Sequence, residues 1–248
     1  MIELLPLESI LWNISRDIRQ RFKEIRMSYT VLDSRSAQAG LAAAKVIRNT
    51  YSLLAMTLLF SALMAGASIA LGAGRGAAMF SSLAALALIW LVLPRTANSG
   101  AGIGVVFAIT GLLGFGLGPM LDAYLKLPNG SEIVMTALGG TGVIFLGLSA
   151  YALTTRRDFS FMGGFLLVGM LVVLGASLLN IFFAQPVATL AISAAVVMLM
   201  SGFILFDTSR MVNGGETNYV LMTVSLYLNI FNLFINLLQL LGVMRNDD

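Results

Sequence analysis

The sequence predicts an all-α integral membrane protein, a bundle of seven transmembrane helices, and three observations carry that prediction. The chain is 58% hydrophobic and only 11% charged, far outside the soluble range. Its apolar residues gather in seven runs, each about the roughly 17–25 residues that a bilayer-crossing helix requires. The links between runs leave no room for soluble domains, so neighbouring helices must run antiparallel. The same composition removes much enzyme chemistry. With no cysteine and no histidine, a disulfide framework, a thiol nucleophile, a Ser–His protease and an H-E-x-x-H metalloprotease are all excluded.

Residues 1–49 stand apart as a polar N-terminal tail. They hold eight of the fifteen basic residues and five of the twelve acids, and no apolar stretch long enough for a signal peptide. Leu11, Ile14, Ile18, Phe22 and Ile25 recur at helical spacing opposite Arg16, Arg19, Lys23 and Arg26. A basic amphipathic helix of this kind suits an anionic membrane surface; a solvated tail is the alternative.

The membrane domain, 50–248, begins with a run at about 50–71, closed by "GAGRG", and a second at 76–93, closed by "PRTANS". The third, 100–121, carries Gly100, Gly104, Gly111, Gly114 and Gly118, and the fourth, 132–154, contains "ALGGTG". Small residues at such spacing allow close backbone approach between membrane helices. The fifth run, 161–183, follows "TRRDFS" and places Asn180 near its end; the sixth, 187–206, follows "AQP" and carries Ser193 and Ser201. All three polar residues are candidates for cross-helix hydrogen bonds. The seventh run covers 219–242.

Basic residues near run ends set the orientation. Arg35, Lys45, Arg48, Arg95, Arg156, Arg157 and Arg210 fall on one side, and only Arg75, Lys126 and Arg245 on the other. The N-terminus is expected in the cytoplasm and the C-terminus outside it, in the periplasm of a bacterium.

Two features invite a functional reading. In the seventh run, Ser225, Asn229, Asn232, Asn236 and Gln239 are four, three, four and three residues apart. At 100° per residue they share one narrow stripe about 21 Å long, with Tyr227, Ile230 and Leu237 on the opposite side. Amides facing lipid would be unsatisfied, so the stripe should face the bundle interior or a wet cavity. It serves either as interhelical glue or as the lining of an ion path. The second feature is Asp207, expected at the cytoplasmic end of the sixth helix, where an acid opposes the macrodipole. It can face the Asn229 stripe as a pH-responsive group, or form an exposed pair with Arg210 that contributes little. The residues alone leave both readings open. An intramembrane aspartyl protease would need two embedded acids; Asp122 and Glu132 belong to a loop on the opposite side, so Asp207 has no such partner.

Five stretches, "AKVIRNTYSLLAMTLLFSA", "GFGLGPML", "SAYALTTRRDFSFMGG", "ILFDTSRMVNGGETNY" and "VSLYLNIFNLFINLLQLLG", together resemble the Bax inhibitor-1 (transmembrane Bax-inhibitor-motif) family, specifically its bacterial YccA branch. The resemblance runs from about Lys45 to the C-terminus. It implies a seven-helix bundle with the last helix central. For the family it also implies a pH-sensitive calcium leak, gated by two acids that share a proton. Asp207 matches the first acid; Asn229 stands at the second and cannot titrate, and no arginine lies within a membrane interior. For the YccA branch the resemblance implies an inner-membrane protein that binds and modulates the ATP-dependent membrane protease FtsH in membrane protein quality control. No catalytic residue or bound cofactor is expected. The expected partners are FtsH and the lipid bilayer, with calcium as the transported ion of the alternative reading and no nucleic acid.

Overall fold

The computed structural model describes residues 7–244, with every side chain described from Gly40 to Val243. The described residues form seven helices. They are α1 (Leu7–Ala70), α2 (Arg75–Thr96), α3 (Ala101–Leu125), α4 (Gly130–Thr155), α5 (Met162–Phe183), α6 (Pro186–Val212) and α7 (Tyr219–Met244). Each contains a stretch long and apolar enough to cross a membrane, that of α1 being Gly40–Ala70. The protein is an all-α, seven-helix membrane protein.

Two compact units divide the chain, Met1–Ala42 and Ala43–Asp248. In the first, the backbone is helical from Leu7 onward. Arg16, Lys23 and Arg26 are exposed, and the Arg21 guanidinium lies 3.2 Å from the Asp17 carboxylate one turn earlier. The side chains of Leu11, Ile14, Ile18, Phe22 and Ile25, the expected apolar face, lie outside the described residues, as does Arg245.

Helix ends in the second unit follow from local chemistry. At the end of α1, Gly72 adopts a φ of +62°. Ala73 N donates to Ser68 O and Gly72 N to Ile69 O, the paired bonds of a glycine C-cap. The same pair recurs after α6, where Gly214 has a φ of +73°, Gly215 N reaches Arg210 O and Gly214 N reaches Met211 O. α6 therefore continues to Val212, beyond the expected end at 206, and Asp207 lies inside the helix rather than at its terminus. In α2 a π turn, Leu88–Val92, precedes Pro94. Proline lacks an N–H and its ring crowds the carbonyl four residues back, so a widened turn accommodates it.

α7 is the centre of the bundle. In its most apolar stretch 56% of residues are buried, against 11% in α5, whose surface is largely lipid-facing. Tyr227, Leu226, Leu233 and Leu238 on different faces of α7 are all nearly inaccessible. The close approach of α3 to α1 depends on glycine at three expected positions. A Cβ on Gly111 would strike the Phe60 ring, one on Gly114 the Ser61 backbone, and one on Gly118 the Ser68 side chain. Gly100 and Gly104 instead face open space, as do Gly139 and Gly142 in α4. Those glycines do not serve packing between helices, because nothing approaches them.

Gly114→Val therefore separates contact from propensity. The branched side chain meets the α1 backbone, which cannot rotate away, and should destabilise the bundle by about 1–3 kcal/mol. Gly104→Ala, into open space, should leave the melting temperature in detergent unchanged or slightly raised. Equal melting temperatures for the two variants would remove the close-approach role of Gly114.

Candidate functional site

The polar stripe of α7 is continuous in sequence but performs two different tasks. Its first part clasps Asp207. Ser225 and Asn229, one turn apart, point the same way across the α6–α7 contact. Ser225 Oγ donates to Asp207 Oδ2 at 2.6 Å and Asn229 Nδ2 donates to the same oxygen at 2.8 Å. Asp207 is only 4% exposed and Asn229 7%. A carboxyl group removed from water is costly unless hydrogen-bonded, and α7 supplies both donors.

Residues following Asp207 tie the last turn of α6 to its surroundings. Thr208 Oγ1 lies 3.3 Å from the Tyr51 hydroxyl of α1. Ser209 Oγ donates to Arg157 O and accepts from Phe159 N, each at 2.9 Å, fixing the α4–α5 link. In that link the Ser160 hydroxyl and backbone N–H hold the Asp158 carboxyl below its usual range. The turn's contribution is thus present at neutral pH and is lost on acidification through the lowered value.

Arg210 does not pair with Asp207. Its guanidinium lies 3.2 Å from Glu216 in the α6–α7 link and stacks over the Phe206 ring at 5.6 Å. Asp207 turns inward to α7 while Arg210 reaches outward to the link, so the two side chains diverge. Glu216 also accepts from Thr217 N and Asn218 N. Asn218 caps α7 by accepting from Val220 N at 2.9 Å and Leu221 N at 3.1 Å, the favoured use of asparagine at a helix start. Its amide donates to Ala97 O and Asn98 Oδ1 beyond α2.

The second part of the stripe lines a cleft of about 480 Å³ between α5, α6 and α7. Asn232 and Asn236 each donate to the carbonyl four residues earlier in α7, at 2.8 Å. Gln239 Oε1 accepts from Ser193 Oγ of α6 at 2.9 Å. Asn180 of α5 donates to Thr189 of α6 at 2.7 Å. Ser193 and Asn180 therefore form the expected cross-helix bonds. Ser201 does not: its hydroxyl donates to Val197 O within α6.

One polar residue of the core escaped the reading of α7 as a stripe with an apolar reverse. Tyr227, 1% exposed, lies 2.6 Å from Ser61 Oγ and donates to Thr110 O at 3.2 Å, linking α7 to α1 and α3. Its side of α7 faces helices, not lipid. A tyrosine hydroxyl inside an apolar run, where nothing wet is near, was the available signal, since a buried O–H requires a partner.

Removing one donor at a time should grade the clasp. Asn229→Leu leaves the buried Asp207 with one donor in place of two, and should destabilise the protein by about 1–3 kcal/mol. Ser225→Ala should cost somewhat less because the cavity it leaves is small. Arg210→Ala, at a half-exposed pair, should cost no more than about 1 kcal/mol. Thermal unfolding in detergent orders the three; an Arg210 variant as damaging as Asn229→Leu would contradict the assignment.

The comparisons with known proteins agree with this architecture. The family described as Inhibitor of apoptosis-promoting Bax1 matches residues 43–246. The Modulator of FtsH protease YccA of Escherichia coli is 45% identical over 221 residues, covering 89% of this chain and 100% of that protein. An uncharacterised membrane protein of Vibrio cholerae is 51% identical over 204 residues, covering 82% and 92%, and an uncharacterised protein of Pseudomonas aeruginosa is 45% identical over 203, covering 82% and 91%. With its seven membrane helices, its central α7 and a match across the whole membrane domain, the chain belongs to the Bax inhibitor-1 family.

Proposed function

We propose that the protein resides in the bacterial inner membrane, where it binds and modulates the FtsH protease in membrane protein quality control, without catalysing a reaction itself. The observation that carries this reading is the 45% identity to the modulator YccA over that protein's entire length. The charge pattern supports an N-terminus in the cytoplasm, because basic residues cluster at alternate helix ends on one side. A long polar segment on that side would give an ATP-driven protease an exposed end to seize before it draws helices from the bilayer. An affinity-tagged copy should co-purify with FtsH from cross-linked bacterial membranes, and removal of residues 1–20 should lengthen its lifetime in cells containing FtsH. Absence of FtsH from the purified material would overturn the proposal.

A second reading, a pH-sensitive cation leak with calcium as the transported ion, would have to run through one contact. Asn229 lies 2.8 Å from Asp207, at the position where the family resemblance implies a second acid. With an amide there, the pair cannot share a proton between two carboxyls. Calcium entry into liposomes carrying the purified protein, compared in mildly acidic and mildly alkaline buffer, is expected at background for wild type and Asp207→Asn alike. Flux abolished by the substitution would instead make Asp207 part of an ion path.

A further inference from the structure

The geometry points to a ligand site in the α5–α6–α7 cleft: a binding pocket for a small uncharged molecule with hydrogen-bonding groups, such as a primary amide, entered from the α5–α6 hairpin face. The entrance follows from continuity. A second cleft of about 520 Å³ opens beside Ala184 and Pro186 of that hairpin. It shares Ser177, Asn180 and Thr189 with the inner cleft, so the two adjoin end to end. On α7, Asn232 to Gln239 spans about 10 Å at 1.5 Å per residue, so the recess reaches from near one membrane face toward the middle of the bilayer. Its inner end is closed by Met200, 2% exposed, with Ile204, fully inaccessible, one turn further along α6 toward Asp207. The recess is therefore separate from the Asp207 clasp.

Chemistry selects the ligand class. Among the described residues lining the two clefts, none carries a charge, so an ion would lose hydration without an opposite charge to replace it. The amides are only partly engaged. Asn232 and Asn236 each use one N–H on a backbone carbonyl, leaving both Oδ1 atoms as acceptors; Gln239 uses only its Oε1, leaving its NH₂ as donor. Both acceptors and donors thus line one wall within three turns, a set that a carboxamide complements. A lipid chain would leave them unpaired. It fits instead the apolar cleft of about 330 Å³ between α1, α3, α4 and α7, where Ile69, Leu117 and Leu121 form the wall. A volume near 480 Å³ lies within the ordinary range for small-molecule pockets.

The natural absence of cysteine allows single thiols to report on the cleft in the full-length protein. Asn236→Cys probes its depth, Ser177→Cys is a near-isosteric probe at its mouth, and Leu171→Cys, at a lipid-facing position 60% exposed, is the comparison. Iodoacetamide should alkylate Ser177→Cys and Asn236→Cys about tenfold faster than Leu171→Cys, the ratio produced by a barrier lower by ~1.4 kcal/mol. Relative to a free thiol, iodoacetate of the same size but negative charge should be disfavoured, and acetamide should slow the iodoacetamide reaction at both cleft positions. Reaction no faster than at Leu171→Cys would mean a cleft closed to water and overturn the site. Fast reaction without discrimination against iodoacetate, or without slowing by acetamide, would overturn the ligand class. None of these readouts involves FtsH or ion flux.

Discussion

The whole arrangement depends on one constraint: where membrane helices close on one another, a polar group must find a protein partner. An unpartnered buried polar group costs more than a made bond contributes. Beyond its first residue α7 carries Thr223, Ser225, Tyr227, Asn229, Asn232, Asn236 and Gln239 within its apolar length. Several of them are answered by other helices. Ser225 and Asn229 answer a carboxyl on α6, Tyr227 answers α1 and α3, and Gln239 answers a serine on α6. These bonds fix the rotation of α7 about its axis, which apolar packing among similar leucines would fix less well.

Asp207 is the most demanding of these groups, and the structure is built around that demand. Its neighbours Thr208 and Ser209 are also buried, bonded to α1 and to the α4–α5 link. Three consecutive polar residues in a buried turn form a hub that joins α1, α4, α5, α6 and α7 at one end of the bundle. Two acids in contact at this hub would titrate as a coupled pair. Asn229 supplies a donor that does not titrate.

Much of this was legible in the sequence, for physical reasons. Membrane helices declare themselves because lipid admits nothing else, so the seven spans and the inward stripe follow from composition and the 100° period. The glycines at 111, 114 and 118 also behave as their spacing suggests. What the sequence left open depended on direction. Arg210 lies three residues after Asp207 and looks like its partner, yet the end of α6 lies beyond both, and the arginine turns to Glu216. The Asn213-Gly214-Gly215 run was the local signal for that later helix end. That the stripe divides into a clasp and a cleft was not legible, because it depends on whether α6 approaches closely, as at Asp207, or stands off, as at Asn232. Nor does any periodicity distinguish Ser193, which crosses to α7, from Ser201, which turns back on its own helix.

The account's central claim is that Asp207 and Asn229 act as one unit, a carboxyl matched by an amide across α6 and α7. Exchange of the two groups tests it most directly. Thermal unfolding in detergent should be compared for wild type, Asn229→Asp, and the exchanged Asp207→Asn/Asn229→Asp protein. If the pair is a unit, the single variant, with two facing acids, is clearly destabilised, and the exchange recovers most of the loss through a coupling of about 1–3 kcal/mol. If the second substitution recovers nothing and the costs simply add, the two residues are independent and the clasp does not hold α7 in place.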